Sequence, residues 1–265
     1  MGDWVAELDG ADVVINLAGR TVNCRYNAEN LKEMMDSRVE STAIIGEAIG
    51  LRVVPPRVWL QSSTATIYAH RFDAANDEID GILGGGEPGS PAKWEASIAI
   101  AKAWEDALWA AETPGVRKVA LRSAMTMSPD EGSVFAVFSA LTRRGLGGQL
   151  GNGRQYVSWI HEDDFARAIQ FLIDEEVEGA VNVCSPGPLP QKEFARMMRE
   201  AWGVSFGLPA MEWMIELGCL VMQTESELVL KSRRVVPRRL EDAGFLFRYS
   251  DWRDASRDLV RRMRG

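Results

Sequence analysis

A strand that ends in a turn of small residues is the first candidate for chemistry in this chain. Residues 13–17 are an apolar run interrupted by Asn16, and the run continues directly into Ala18 and Gly19. A parallel sheet brings its backbone to a dinucleotide through such a strand and turn, because small side chains let the ligand approach the main chain. The pattern predicts a dinucleotide contact at Asn16, Ala18 and Gly19, with a plain tight turn as the alternative.

The Gly-rich turn that normally holds the pyrophosphate of a dinucleotide is missing. Only twelve residues precede Val13, and they contain no strand, Gly-x-x-Gly-x-x-Gly turn and helix. Three explanations are open: Met1 is internal to a longer protein, the chain is truncated, or the natural chain has lost its cofactor half. The first two together are favoured. Unaided tight binding of a dinucleotide is not expected, because the helix N-terminus that holds the pyrophosphate is lacking.

Other positions suited to binding lie on a helix and at a strand end. Arg38 is on a predicted helix, and its spacing from Thr42 places both side chains on one face. From there the guanidinium could reach a phosphate or a ribose, with a surface arginine as the alternative. Arg122 and Ser123 end a predicted strand, which is the side of an open sheet where ligands bind.

Strands and helices alternate along the chain, and they are the elements that must position these residues. The apolar patterns predict strands at 12–17, 57–63, 118–123 and 180–184, and a short extended piece at 156–160. Helices are predicted at 28–49, 94–111, 133–144 and 162–174. A mainly helical tail follows from 189, with a break at Pro237 and a helix at 251–263. The alternation predicts an α/β fold with a doubly wound parallel sheet.

The bulk composition excludes several classes of function. A net charge of −8 argues against nucleic-acid binding, which needs a basic face, and the pairs at 233–234 and 238–239 are interpreted as solvated. Three widely spaced cysteines and two histidines favour neither a disulfide framework nor a metal site. No signal peptide and no run of eighteen apolar residues occurs. The chain is therefore expected in the cytoplasm, without membrane contact.

Several segments occur in an order that resembles one superfamily. They are LAG (17–19), DSRVEST (36–42), QSSTATIY (61–68), LRS (121–123), GNGRQYVSWIHEDD (151–164), VNVCSP (181–186) and VVPRRLEDAGF (235–245). Together they are similar to the extended short-chain dehydrogenase/reductase superfamily. Within it they resemble the epimerase family, a branch of NAD(P)-dependent nucleoside-diphosphate-sugar epimerases with a small C-terminal domain.

The resemblance implies a Rossmann-like sheet that lacks its first βαβαβ section and carries a smaller, mainly helical substrate lobe. The partial cofactor domain is expected at 1–150 and the lobe at 151–265, with the strand at 180–184 returning to the sheet. In the family's strand order, residues 13–17 would pair with the missing first strand, so they are expected to form a bare sheet edge. NADP or NAD is the implied cofactor, and Ser62 and Ser63 are further implied contacts to it.

The resemblance also implies a catalytic set, which this chain retains only in part. In the superfamily a Ser or Thr follows the fifth strand, and a Tyr-x-x-x-Lys pair on the next helix transfers protons. Thr64 takes the Ser/Thr position, with a role in satisfying backbone groups as the alternative. The Tyr and Lys positions hold Ser97 and Ala101, and Lys102 comes one residue too late. Tyr68 is a candidate substitute, although a packing role is favoured for it.

The implied substrate is a small molecule of the nucleotide-sugar class. Arg154, in a glycine-rich loop, is the implied contact to the diphosphate. Trp159 is a second candidate contact, with a core position as the alternative. His161 with Asp163 and Asp164 resembles a catalytic His-Asp pair, but the superfamily places a helix cap there. A homodimer is a further expectation.

Three functions stay open. The first, which is preferred, is an NAD(P)-dependent oxidoreductase or epimerase acting on a nucleotide sugar. The second is a dinucleotide-binding regulator without competent catalysis, and the missing Tyr and Lys motivate it. The third is a cofactor-free scaffold whose exposed edge strand pairs with a partner or with a second copy.

Overall fold

Strands and helices alternate through the computed structural model, which describes residues 2–87 and 90–265. The strands in this part of the chain are β1 (Val13–Asn16), β2 (Val58–Thr64), β3 (Arg117–Ser123), β4 (Met125–Met127), β5 (Tyr156–Val157), β6 (Trp159–His161), β7 (Gly179–Val183) and β8 (Leu189–Pro190). The helices are α1 (Ala28–Gly50), α2 (Glu95–Ala110), α3 (Val134–Arg143), α4 (Glu162–Asp174), α5 (Gln191–Trp202), α6 (Glu212–Val221), α7 (Glu227–Leu230), α8 (Arg238–Asp242) and α9 (Trp252–Arg264). Short 3-10 helices cover Asp3–Leu8, Ala65–Ile67 and Ala92–Trp94.

Four parallel strands form the central sheet in the order β1, β2, β3, β7. The register places Asn16 beside Gln61 and Thr64 beside Ser123, so the carboxyl ends of the strands meet at one side of the sheet. Among the described residues β1 pairs only with β2, and its Ile15 is 43% exposed. The expected apolar edge strand is therefore present. The strand expected at 180–184 returns to the sheet as β7, whereas the domain division at residue 150 stays a prediction.

Helices cover both faces of the central sheet, which confirms the predicted doubly wound α/β class. On one face Trp59 and Ala120 pack with Ile49 of α1 and Leu108 of α2. On the other face the alternate strand residues pack against α4, α8 and the segment after α8, in a cluster that includes Val58, Leu60, Val119, Leu121, Leu172 and Phe245. The period-two alternation along β2 and β3 sends successive side chains to opposite faces, so both faces are apolar.

Polar side chains cap the beginnings of several helices, at or beside the predicted starts. The Asn27 side chain accepts a hydrogen bond from the backbone N–H of Asn30 (2.8 Å) at the start of α1. Ser133 does the same for α3, and Asp251 does so for α9. Such side-chain oxygens satisfy N–H groups that have no partner within the helix.

The C-terminal part of the chain packs around aromatic residues beside the sheet. Trp159, Phe194 and Trp252 form the centre of a cluster to which α3, α5 and α9 contribute. Two small sheets accompany it: β4 pairs with β6 in parallel, and β5 pairs with β8 in antiparallel orientation. The sequence patterns did not predict β4 and β8, which show no periodicity of their own, whereas β5 and β6 lie at the extended piece expected at 156–160.

None of the described helices has the length and apolar character that crossing a membrane requires. Cys24, Cys184 and Cys219 are all unpaired thiols. Within residues 2–87 and 90–265, no three His, Cys, Asp or Glu side chains come together in a group that could hold a metal ion.

Candidate functional site

Three hydroxyl side chains lie at the carboxyl end of β2. Thr64 begins a 3-10 turn, and its Oγ1 accepts a hydrogen bond from the backbone N–H of Thr66 (3.1 Å). The Ser63 hydroxyl donates to Glu105 Oε1 at 2.6 Å, and that pair is buried. Ser62 is half-buried, and its hydroxyl forms no hydrogen bond with the described residues. Thr64 therefore has the backbone role that was its alternative, yet its O–H proton is still free for a ligand.

These hydroxyls line a cavity of about 240 Å³ at the end of the sheet where open α/β folds bind ligands. Residues of α1, of α2 and of the C-terminal region complete its walls. The lining includes Ser62, Ser63, Thr64, Thr66, Ser97, Ala101, Trp104, Arg38, Tyr26 and Arg233. The cavity is smaller than the usual ligand pocket of roughly 300–1,000 Å³, so it accommodates part of a large ligand.

The cavity wall on α2 contains the two positions at which the superfamily has Tyr and Lys. Ser97 lies there, and its hydroxyl is 2.6 Å from Glu227 Oε1, to which it donates, and 3.0 Å from the Trp94 carbonyl. Ala101 is the small residue at the Lys position. Lys102 is outside the cavity lining, and its amino group lies beside the loop at Gly85. The expected proton-transfer pair is thus replaced by a serine that is bonded to a buried carboxylate.

The turn after β1 lies against Arg38. A Cβ atom added at Gly19 would lie 3.4 Å from Arg38 Cζ, so a larger side chain would press on the guanidinium. The Asn16 side chain stabilises this turn. Its Oδ1 accepts a hydrogen bond from the backbone N–H of Ala18 (3.0 Å), and its amide group donates to Gln61 Oε1 (2.9 Å). Of these predicted cofactor contacts, Arg38 lines the cavity, whereas Asn16 has its side-chain groups engaged within the protein.

Arg38 lines the cavity with its guanidinium bonded to the backbone. It donates to the carbonyl oxygens of Met34 and Arg20, both at 3.0 Å, and lies 4.9 Å from the centroid of the Trp104 ring. Burial lowers the pKa of Arg38 from its ordinary value. Thr42, the other member of the predicted pair, accepts from the Trp104 indole N–H (3.1 Å) and so fixes the ring under the guanidinium.

A buried network ties Arg122 and Tyr68 to the interior and not to the cavity. Arg122 makes a two-pronged contact with Glu105, at 2.8 Å and 2.7 Å, and donates to the Tyr68 hydroxyl at 2.8 Å. That hydroxyl donates to Asn182 Oδ1 at 2.9 Å. Burial raises the pKa of Tyr68 to about 12, although the charge of Arg122 acts in the opposite direction. Neither side chain lines the cavity. This geometry favours the packing interpretation of Tyr68 over a catalytic one.

Ser123, the neighbour of Arg122 at the end of β3, is also engaged internally. Its hydroxyl donates to the Leu121 carbonyl at 3.2 Å, and Ser123 does not line the cavity. The strand end was expected to face ligands, but the cavity opens above β2 and not above β3. A cofactor contact of Arg122 or Ser123 stays a prediction that these hydrogen bonds do not support.

A cluster of buried charges from the C-terminal region lies beside the cavity, and Arg233 is the member of it that lines the cavity. Glu227 is 2% exposed and Lys231 is not exposed at all, with 3.5 Å between the Lys231 Nζ and Glu227 Oε1 atoms. Lys231 also donates to the Thr66 carbonyl (2.9 Å), and Arg233 Nε donates to Thr66 Oγ1 (3.2 Å). The expectation that Arg233 is solvated is wrong, since its side chain is only 10% exposed. Contacts to the strand end keep it inside the fold.

Arg154 and Trp159, the predicted substrate contacts, both lie outside the cavity lining. Arg154 is exposed in its glycine-rich loop, and its backbone N–H donates to Asn152 Oδ1 (2.8 Å). Trp159 is fully buried, packs at a tilt against Trp252 with 4.9 Å between ring centroids, and donates to the Gly187 carbonyl (3.0 Å). The core alternative for Trp159 is therefore the one that the geometry favours. The role of Arg154 stays a prediction.

His161 is a helix cap. Its Nδ1 accepts from the backbone N–H of Asp163 at 3.1 Å at the start of α4, and its Nε2 lies 3.3 Å from Asp258 Oδ2. Burial lowers the pKa of His161. The ring also stacks on Tyr249, with 3.9 Å between centroids. Helix capping and packing therefore account for the residues that resemble a catalytic His-Asp pair.

Two family models match the chain. Residues 2–184 match the model described as the NAD dependent epimerase/dehydratase family. The chain belongs to this family. Residues 212–259 match a second model, described as a domain of unknown function (DUF1731). The family match covers β1 to β7 and therefore the whole central sheet. The second match contains Glu227, Lys231 and Arg233.

Relatives and solved structures extend the likeness to nearly the whole chain. An epimerase family protein from Staphylococcus epidermidis is 30% identical over 97% of this chain and 82% of its own length, and one from Staphylococcus aureus is 31% identical over 94% and 79%. The crystal structure of human epimerase family protein SDR39U1 (isoform 2) with NADPH is similar with a TM-score of 0.85, at 24% identity, over 98% of this chain and 85% of that one. UDP-N-acetylglucosamine 4-epimerase from Bacillus cereus has a TM-score of 0.69, at 17% identity, over 99% and 82%.

The departure from the superfamily's Tyr-x-x-x-Lys pair lies at the cavity. The superfamily's Tyr and Lys are Ser97 and Ala101, and the charges near them come from the C-terminal match, at Glu227 and Arg233. Sequence reasoning missed these two residues. The one available signal was a run of closely spaced charges within a segment that otherwise has the apolar content of a packed region. Composition cannot distinguish such a buried charge from a solvated one.

Proposed function

We propose that this chain is an NAD(P)-dependent sugar-nucleotide epimerase-like protein. One observation carries the proposal: a cavity lined by Ser62, Ser63 and Thr64 lies at the carboxyl ends of parallel strands, in a chain whose residues 2–184 match the NAD dependent epimerase/dehydratase family. Ligands of open α/β sheets bind at this end. The human relative was crystallised with NADPH, and the Bacillus cereus protein is a UDP-N-acetylglucosamine 4-epimerase, which supports this cofactor and substrate class.

The hydroxyls at the end of β2 fit the nicotinamide and ribose end of the cofactor, which leaves the two arginines of the cavity lining to a second ligand group. The hydroxyls of Ser62 and Thr64 are suited to ribose oxygens or a carboxamide, and the indole of Trp104 offers an apolar surface. The pyrophosphate needs backbone donors and a helix N-terminus. Residues 2–12 do not form that cradle, since they hold the 3-10 helix Asp3–Leu8 and the turn before β1. The described residues thus fit one half of a dinucleotide.

The protein's own groups would orient the substrate beside the cofactor and move a proton. A bound nicotinamide would supply hydride acceptance from a carbinol carbon or hydride donation to a carbonyl carbon. Thr64 holds a free O–H proton at the cavity wall, and the Ser97 hydroxyl is the group closest to the position of the missing Tyr. Ser97 already donates to Glu227 Oε1, so its oxygen can accept a proton while its own proton passes to the carboxylate.

A second function is favoured by the replacement of the Tyr and Lys residues. In this alternative the chain binds the dinucleotide and acts as a regulatory or scaffold protein, without catalytic turnover. Ala101 has no group that could lower a neighbouring pKa, and Tyr68 is bonded to Arg122 and Asn182 inside the fold. The two functions differ in turnover but share cofactor binding.

The test is a thermal-shift and calorimetric titration with NADPH and NADH, followed by turnover assays with UDP-sugars. A ligand that binds only the folded state should raise the unfolding midpoint, with about 2.7 kcal/mol of stabilisation at a concentration 100 times Kd. Ser62→Leu fills the cavity and should abolish this shift. Ser205→Leu, at an exposed position away from the cavity, should leave it unchanged.

Each outcome separates the alternatives. A shift with NADPH or NADH that Ser62→Leu removes, together with conversion of a UDP-sugar, supports the epimerase-like function. A shift without any turnover favours the regulatory alternative. Stabilisation by neither nucleotide, with the protein folded, would refute dinucleotide binding by this chain.

We also propose a cytoplasmic location and a homodimer. The three unpaired thiols are typical of a reducing compartment. The apolar edge of β1 is a surface through which two copies could pair. Light scattering on the purified chain tests the homodimer, and a monomer at all concentrations would contradict it.

A further inference from the structure

Two arginines line the cavity, and none of the described residues that line it is acidic. Arg38 comes from α1, and Arg233 comes from the segment that follows α7. Both side chains are largely buried, with 10% of the Arg233 side chain exposed. The remaining polar groups on the walls are hydroxyls, including those of Ser62, Thr64 and Tyr26. The cavity therefore presents hydrogen-bond donors and positive charge.

Arg38 has no ion pair with a described carboxylate. Its guanidinium donates to two backbone carbonyls and lies over the Trp104 ring. Carbonyl oxygens and a ring face carry partial negative charge but do not neutralise a cation. A buried guanidinium normally has a counter-charge, because removing it from water is costly.

Arg233 shares one carboxylate with a second cation. It donates to Thr66 Oγ1 (3.2 Å) and to the carbonyls of Glu227 (3.2 Å) and Leu228 (3.3 Å). The Glu227 carboxylate is 3.9 Å from Arg233 Nη2, and the same oxygen lies 3.5 Å from Lys231 Nζ and accepts from Ser97. A single carboxylate thus faces both Lys231 and Arg233.

The lowered pKa of Lys231 indicates the same shortage of negative charge. Burial first, and then the charge of Arg233, lower the pKa of Lys231 to about 8. Glu227 and Glu87 oppose the shift without cancelling it. Two other buried acids are already paired, Glu105 with Arg122 and Glu225 with Arg25. Glu87 accepts from the backbone N–H groups of His70 and Gly85. The walls are therefore short of an anion.

We propose that the cavity binds the anionic group of the substrate, a carboxylate or a phosphate, between Arg38 and Arg233. A planar guanidinium presents two parallel N–H donors, which match the paired oxygens of either group. This assignment rests on the proposed function and narrows its substrate to a sugar nucleotide whose sugar carries a carboxylate or a phosphate group. Neutral sugars would leave the two arginines uncompensated.

The experiment is a calorimetric titration with three probes at constant ionic strength: D-glucuronate, glucose 6-phosphate and glucose. The first two distinguish a carboxylate from a phosphate, and glucose is the neutral control. At least one acidic probe should bind, and glucose should not. Arg233→Gln and Arg38→Gln should each weaken that binding roughly 10- to 100-fold, as expected for a lost charge-assisted hydrogen bond.

Arg234→Gln is the matched control, because Arg234 is the sequence neighbour of Arg233 but lies over the Tyr156 ring, outside the cavity lining. It should bind the acidic probe like the parent protein. Should Arg233→Gln not fold, Ser62→Asp keeps both arginines and places a competing carboxylate in the cavity, with the same expected loss. Equal binding of glucose, or equal weakening by Arg234→Gln, would overturn the proposal.

The titration is repeated with saturating NADPH to separate substrate from cofactor. Binding of the acidic probe alongside NADPH supports a substrate site. Competition between them would mean that the arginines hold a cofactor phosphate, which overturns the proposal. If the acidic probe binds through Arg38 and Arg233 while NADPH does not bind at all, the anion site stands and the dinucleotide function fails.

Discussion

Lys231 makes the stability of this fold depend on pH in the alkaline range. Its side chain is fully buried against Glu227 and Thr66, and burial lowers its pKa from 10.5 to about 8. Between these two values the unfolded chain binds more protons than the folded chain does. The free energy of unfolding therefore rises with pH through this window, and the contribution is absent below about pH 8.

The magnitude follows from the two pKa values. For a folded value of about 8 and an unfolded value of 10.5, the contribution of Lys231 grows by about 2.5 kcal/mol from pH 7 to pH 10. Lys231→Met removes the titrating group. Urea denaturation of both proteins at pH 7 and pH 10 should show the difference in unfolding free energy shifting by this amount, in favour of the parent protein at high pH.

An exposed lysine provides the control. Lys192→Met changes a solvated residue at the start of α5, and its difference from the parent protein should be the same at both pH values. Other titrating groups are common to all three proteins and cancel in the comparison. A difference between the parent protein and Lys231→Met that does not change with pH would refute the buried, short-of-anion environment assigned to Lys231.

Two further predictions concern packing and buried charge. A Cβ at Gly46 would lie 2.5 Å from the Ala111 Cβ, so Gly46→Ala should destabilise the fold by about 1–3 kcal/mol, whereas Gly218→Ala, with nothing within 4 Å, should stabilise it by about 0.5–1 kcal/mol. Urea denaturation measures both, and equal signs would contradict the close packing of α1. Glu105→Gln should cost about 3–5 kcal/mol because Arg122 loses its buried partner, and a loss below about 1 kcal/mol would show that the pair is solvated.

The sequence predicts the helices that flank the sheet to within about one residue at many ends. α1 was expected at 28–49 and covers Ala28–Gly50, and α4 was expected at 162–174 and covers Glu162–Asp174. These segments have clear apolar periodicity and capping residues, which are local signals. The short strands β4 and β8 carry no such signal, because their pairing depends on segments far away in the chain.

The candidate site was predicted in part. Ser62, Ser63, Thr64 and Arg38 all line one cavity, as a strand end and a neighbouring helix face would suggest. The direction in which the Arg122 side chain points could not be predicted, since a strand end permits contact either with a ligand or with the interior. The ion pair with the buried Glu105 of α2 turns the Arg122 side chain towards the interior.

The buried charges of the C-terminal region beside the cavity could not be predicted from the sequence. Lys231 and Arg233 belong to residue types that are almost always solvated, and adjacent arginines strengthen that expectation. Their burial depends on Glu227 and on the Thr66 carbonyl and hydroxyl. Contacts between residues so far apart in the chain leave no pattern in the local sequence.

This separation also sets the order in which the cavity is assembled during synthesis. Thr66 and Arg233 are 167 residues apart, and Ser97 and Glu227 are 130 apart. At about 5–20 residues per second, a ribosome needs roughly 8–33 s to pass from Thr66 to Arg233. During that interval the cavity lacks the part of its lining that Arg233 provides. A ligand that needs Arg233 can therefore stabilise only a chain that has been synthesised beyond that residue.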